Sequence, residues 1–119
     1  MLNLDTHILL HALNGSLSEN ERRVLAGDRW SISAIVLWEI AKLSQLGRIN
    51  WTLRDERLLA VLATITVWPI SVAVCQSLLS LDFRSDLADE LIAATSLAHG
   101  VPLVTRDARI RESAVVPLV

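Results

Sequence analysis

Four acidic residues stand where a carboxylate serves folding poorly and a metal ion well: Asp5, Glu39, Asp89 and Asp107. Asp5 follows the short apolar opening Leu2-Asn3-Leu4, and Asp107 closes Leu103-Val104-Thr105-Arg106-Asp107 at the end of a predicted strand. Glu39 falls inside an apolar helical stripe bracketed by Ile35, Leu43 and Leu46, where a buried charge is costly unless it pairs or coordinates. Asp89 stands in the first turn of another helix, behind Asp86 as N-cap, and both are favoured there by the helix dipole. Each acid alone has an ordinary reading. Asp5 and Asp107 suit strand-closing turns, Asp86 and Asp89 suit caps, and Glu39 suits an exposed i,i+3 partner of Lys42. Their joint placement at strand ends and helix starts carries more weight. Such a cluster repels itself and calls for divalent cations. Mg²⁺ and Mn²⁺ prefer oxygen ligands, and two of them about 3.5–4 Å apart orient a water and stabilise the leaving oxygen of a phosphodiester.

Other chemistries find less support. His7 and His11 share one short helix at i,i+4, a spacing zinc accepts, but no third ligand has matching spacing, so they read as two half-buried helix residues. The lone Cys75 excludes an intramolecular disulfide and a Cys-based zinc site, and it suits a reducing cytosol. The glycines at 15, 27, 47 and 100 are scattered stops rather than a phosphate-cradling loop, and no Ser-His-Asp or Cys-His arrangement stands out.

The elements that must position the acids alternate. Leu2–Asp5, Trp30–Ser33, Ile65–Ile70, Pro102–Val104 and Val115–Leu118 read as strands. Helices are predicted over Thr6–Leu13, from the capping box Ser18-Glu19-Asn20-Glu21 to Ala26, and over Ala34–Leu46, Thr52–Thr64, Val72–Leu81 and Asp86–His99, with a helical turn at Ala108–Glu112. This alternation implies an α/β fold with a mainly parallel sheet covered on both faces. Ligand sites in such sheets gather at the carboxyl ends of strands, which is where Asp5 and Asp107 fall.

At 119 residues the chain reads as one domain spanning 1–119. Its apolar fraction of 52% and mean hydropathy of +0.44 mean either an aliphatic core or an apolar surface awaiting a partner. The net charge of −2 advertises no global attraction to nucleic acid, but ten of the eleven basic residues are arginine, whose fork matches phosphate oxygens. The uncharged run Leu58–Leu81 is broken by Pro69 and by polar residues and reads as helix, strand, helix rather than a membrane span. No signal peptide is apparent, and a cytoplasmic protein is expected.

The segments Leu4-Asp5-Thr6-His7, Leu37-Trp38-Glu39-Ile40-Ala41 through Leu46-Gly47-Arg48-Ile49, Asp86-Leu87-Ala88-Asp89 through Leu91-Ile92-Ala93-Ala94-Thr95, and Leu103-Val104-Thr105-Arg106-Asp107 stand in an order that resembles the PIN-domain ribonucleases, specifically the VapC-type toxins of toxin–antitoxin pairs. The resemblance covers almost the whole chain. It implies a PIN-like three-layer fold and a metal-dependent endoribonuclease in which Asp5, Glu39, Asp89 and Asp107 bind Mg²⁺ or Mn²⁺ and carry catalysis. It implies supporting roles for Thr6, Asp86 and Thr105, with Ser33 a cap near the pocket. It further implies an RNA substrate, a homodimer, and a cognate antitoxin that lays an apolar helix into a groove and inserts a basic side chain among the acids. Two departures stand out. Glu90 occupies a position where close relatives usually carry arginine, and the opening strand is clipped and contains polar Asn3, which predicts a frayed edge or one paired by a partner.

Two rival readings share the pattern. A phosphoacceptor receiver domain has similar length and a Mg²⁺-binding acid cluster, but normally needs paired acids at the first strand end and a late lysine; Asp5 has no acidic neighbour and Lys42 is the sole lysine. A PIN-like module that binds RNA or protein without cutting is the other, and Glu90 leaves room for it.

Overall fold

Short strands alternating with helices force crossover connections, and in the computed structural model, which describes residues 1–119, every strand pairing is parallel. The strands are β1 (Leu2–Leu4), β2 (Trp30–Ser33), β3 (Thr66–Trp68) and β4 (Leu103–Val104), in the spatial order β3-β2-β1-β4. The helices are α1 (Thr6–Asn14), α2 (Glu19–Ala26), α3 (Ala34–Gln45), α4 (Glu56–Leu62), α5 (Val72–Leu78), α6 (Leu87–His99) and α7 (Ala108–Arg111). Successive strand residues point to opposite faces. Leu2, Asn3 and Leu4 are all buried, so helices cover the sheet on both faces at its centre. One cluster of 23 buried apolar residues forms the core, and Leu4, Ile8, Leu9, Ile32, Val36, Ile40, Ile92 and Leu103 are wholly inaccessible within it.

The opening strand departs from expectation. β1 is not a frayed edge: it pairs with β2 on one side and β4 on the other. Asn3 is tolerated in the core because its amide donates to Ser96 Oγ at 2.9 Å and to the Ile92 carbonyl at 3.3 Å on α6. The predicted helix from Thr52 begins only at Glu56. Asp55 turns its carboxylate back to the Thr52 N–H at 2.8 Å, so Thr52–Asp55 forms a turn instead of a first helical turn. The predicted strand Ile65–Ile70 keeps only Thr66–Trp68, and the closing strand Val115–Leu118 reduces to a single parallel bridge between Leu103 and Leu118. No helix is long and apolar enough to cross a membrane. The uncharged run resolves into α4, β3 and α5, as its helix–strand–helix pattern predicts.

Candidate active site

Parallel pairing places the carboxyl ends of β1 and β4 side by side, with Leu4 opposite Val104. The residues just beyond them, Asp5 and Thr105, therefore meet. Asp5 is the N-cap of α1 and is almost fully buried. One carboxylate oxygen accepts the Thr6 N–H at 2.7 Å, and the other accepts the Thr105 hydroxyl at 2.6 Å. Thr105 in turn accepts the Asp107 N–H at 3.0 Å, while Asp107 caps α7 by accepting the Ile110 N–H at 3.0 Å. The Thr6 hydroxyl donates to Glu39 across from α3. Asp89, in the first turn of α6, receives the Ser85 hydroxyl at 3.1 Å, and its own N–H is capped by Asp86 at 2.9 Å.

Electrostatics joins these pieces into one cluster. Burial is the largest influence raising Asp5 above its ordinary value, against the Thr105 hydrogen bond, with Asp107 adding repulsion. Burial likewise raises Glu39, opposed by the Thr6 hydroxyl and reinforced by the charges of Asp5 and Asp86. Asp89 is pushed up to about 6, first by burial, then by Asp86 and Asp5, with Asp107 contributing. The three ion pairs of the molecule lie elsewhere, at Met1–Asp28, Arg23–Glu19 and Arg106–Glu21, so no cation neutralises the cluster. The donors offered to a ligand are all carboxylate oxygens, the set that suits a hard divalent ion. As they stand, no three Asp, Glu, His or Cys side chains approach closely enough to grip one ion. The reason is visible in the partners: Glu39 is drawn to Thr6, and Asp107 to the Ile110 N–H.

All four predicted acids thus surround the carboxyl ends of β1 and β4. Thr6, Thr105 and Asp86 touch or repel them as supporting residues do. Ser33 caps α3 through the Ile35 N–H at 3.2 Å and holds no acid. The apolar stripe around Glu39 is shifted from expectation: Ile35, Val36 and Ile40 are buried, Leu43 is half-buried, and Leu46, past the end of α3, is 53% exposed. Lys42 pairs with Gln45 rather than Glu39. Glu90 folds back onto the Ser85 N–H at 2.9 Å and fixes the turn before α6. His7 and His11 do not form the expected half-buried pair. His7 is exposed beside the acids, lowering the pKa of both Asp5 and Glu39. His11 turns away to Ser16 and Arg106, at 2.7 and 2.9 Å. Sequence reasoning missed Ser85. Its signal was a hydroxyl residue just before a predicted N-cap, four positions from the acid it serves.

A parallel α/β sheet with carboxylates gathered at its strand ends defines a class of metal-site architectures, and comparison narrows it. The PIN domain model matches residues 3–116, and the chain belongs to that family. Over 88 residues, 71% of this chain and 67% of the relative, it is 38% identical to Ribonuclease VapC22 of Mycobacterium tuberculosis. Similar solved structures include VapBC2 from Rickettsia felis bound to a DNA fragment from their promoter (TM-score 0.74, 22% identity, 100% of this chain and 98% of that one). A toxin–antitoxin complex from Klebsiella pneumoniae (TM-score 0.71, 21% identity, 94% and 91%) and FitAcB from Neisseria gonorrhoeae (TM-score 0.71, 21% identity, 99% and 96%) share the fold. Membership in this family removes the receiver-domain reading.

Proposed function

We propose that this PIN-domain protein is a metal-dependent endoribonuclease acting as a VapC-type toxin in the cytoplasm, with Asp5, Glu39, Asp89 and Asp107 as its catalytic and metal-binding acids. The observation that carries the reading is the uncompensated carboxylate cluster at the carboxyl ends of β1 and β4, which no ion pair neutralises. The likeness to Ribonuclease VapC22 supplies the substrate class, RNA. A bound Mg²⁺ or Mn²⁺ would lower the pKa of a water and offset phosphate charge. The chain's own residues do the positioning. Thr6 N–H and the Thr105 hydroxyl hold Asp5 in one orientation, Ser85 holds Asp89, and the Thr6 hydroxyl steers Glu39 toward the same pocket. Asp86 caps α6 and keeps the local potential negative.

The reading includes a homodimer and a cognate antitoxin. Trp38 (52% exposed), Leu46 and Leu87 (62% exposed) rim a groove between α3 and the start of α6, with Glu39 and Asp86 in its wall. Apolar rim and acidic wall together suit a segment that buries aliphatic side chains and places one basic group at the acids.

The test is cleavage of labelled RNA by the purified chain with Mg²⁺ or Mn²⁺, with EDTA, and with Asp5→Asn, Glu39→Gln, Asp89→Asn and Asp107→Asn. Chelation should abolish cleavage, and each substitution should cut turnover at least tenfold while the melting transition persists, about 1.4 kcal/mol of lost transition-state stabilisation. Full activity of Asp5→Asn and Asp89→Asn would sink the assignment.

A further inference from the structure

A site that binds RNA at a carboxylate cluster needs positive charge close by to hold the backbone against repulsion, and the molecule carries two free guanidinium groups on one rim of this cluster. Arg84 immediately precedes Ser85, the residue that donates to Asp89. Arg109 lies on α7, two residues after its N-cap Asp107. The Arg109 Nη1 donates to the Arg84 carbonyl at 2.7 Å and ties the turn before α6 to α7. Arg84 donates only to the adjacent Phe83 carbonyl, at 3.1 Å. Both side chains are solvent-exposed, and neither belongs to any of the three ion pairs. Arg106, by contrast, is spent: Glu21 grips it through two contacts at 2.7 Å. Two guanidinium groups carried on segments joined by a hydrogen bond, with no carboxylate partner, leave most of their N–H donors directed to solvent. That is the arrangement that takes a phosphate.

We propose that Arg84 and Arg109 form a phosphate seat that docks the RNA backbone beside the acids Asp89 and Asp107. The proposal rests on the RNA-cleaving reading and adds the contact that holds the substrate. Arg109 also positions, because its bond to the Arg84 carbonyl keeps both charges on the same rim. The opposite end of the sheet supplies a control: Arg29 is exposed just before β2, at the amino end of the strands.

The experiment measures binding of a fluorescein-labelled, mixed-sequence single-stranded RNA in Mg²⁺ as a function of salt. The background is Glu39→Gln, which suppresses turnover and leaves Thr6 an acceptor. For single strands, each lost phosphate contact lowers the slope of log K against log salt by about 0.7. Arg84→Gln and Arg109→Gln should each show that drop, and the double variant about twice it. Arg109→Lys keeps the charge and should keep the slope, and Arg29→Gln should match the background. Slopes unchanged in the double variant overturn the seat alone. Loss of polyglutamate binding with RNA binding intact would make the pair a carboxylate seat for an acidic protein and likewise overturn it. A background protein that binds no RNA at any salt overturns both this inference and the ribonuclease reading.

Discussion

At the scale of single residues, the candidate site is a problem of hydroxyl donors. Asp5 is buried yet has two of its lone pairs met, one by the Thr6 N–H and one by Thr105. Thr105→Val keeps the shape and removes the hydroxyl, leaving a buried carboxylate oxygen unmet and the Asp107 N–H without its acceptor. Loss of a buried partner costs about 1–3 kcal/mol, so the melting temperature should drop, and Thr105→Ser should restore most of it. Equal stability of the Val and Ser variants would show that the hydroxyl does not hold Asp5. The raised acids set a pH dependence whose sign follows from proton binding. A carboxylate with a raised folded value holds more protons folded than unfolded, so stability falls as pH rises through that window. For Asp89 the window runs from its ordinary 3.8 to about 6, and Asp5 and Glu39 act in the same direction. Melting temperature in metal-free buffer should therefore decline from pH 4 toward 6 and then flatten, less steeply in Asp89→Asn. A rise over that range would contradict the cluster.

At the scale of elements, capping decides where the site sits. Asp5, Asp86 and Asp107 each open a helix, and their cap bonds are visible in the structure. Asp86 does two things that separate by substitution. Asp86→Asn retains a capping oxygen and removes charge from beside Asp89, whereas Asp86→Ala removes both. Cap loss costs about 1 kcal/mol, so the Ala variant should melt lower. The Asn variant should match or exceed the parent at neutral pH, since it relieves repulsion. Identical losses in both variants would leave the charge of Asp86 without a role. The caps were also the most legible part of the chain. Ser18 and Glu21 form the capping box that their spacing predicts, and Gly15 and Gly100 end α1 and α6 at φ of 69° and 64°, where side chains are disfavoured. The acids at strand ends were legible because a parallel sheet fixes where its ligands must lie. What the sequence concealed depends on partners distant in the chain. Asn3 reads as an edge residue until Ser96, on α6, is seen to satisfy it. Thr52 reads as a helix start until Asp55 is seen to spend its carboxylate on the Thr52 N–H. Ser85 and His7 gain meaning only once α6 and α1 converge on Asp5.

At the scale of the whole molecule, a net charge of −2 conceals strong segregation. Five of thirteen acidic residues, Asp5, Glu39, Asp86, Asp89 and Asp107, repel one another at one edge of the sheet. The fold maintains this against its own stability because the covalent order and the caps leave the acids no alternative. Binding of a divalent ion that recognises only the folded cluster must then stabilise the fold by linkage, about 2.7 kcal/mol at a hundred times the dissociation constant. The ion competes with protons on the raised carboxylates, so its effect should be small near pH 4 and grow through about 6 as Asp89 ionises. Mg²⁺ should thus cancel the decline seen in metal-free buffer, and the two melting curves should diverge with rising pH. Asp5→Asn should both flatten the metal-free decline and shrink the Mg²⁺ response, because Asp5 is the acid that Glu39 and Asp89 both feel. The measurement is melting temperature against pH with and without saturating Mg²⁺, for both proteins. A Mg²⁺ response independent of pH, or equal in parent and Asp5→Asn, would mean that the ion binds away from these carboxylates and that they do not act as one site.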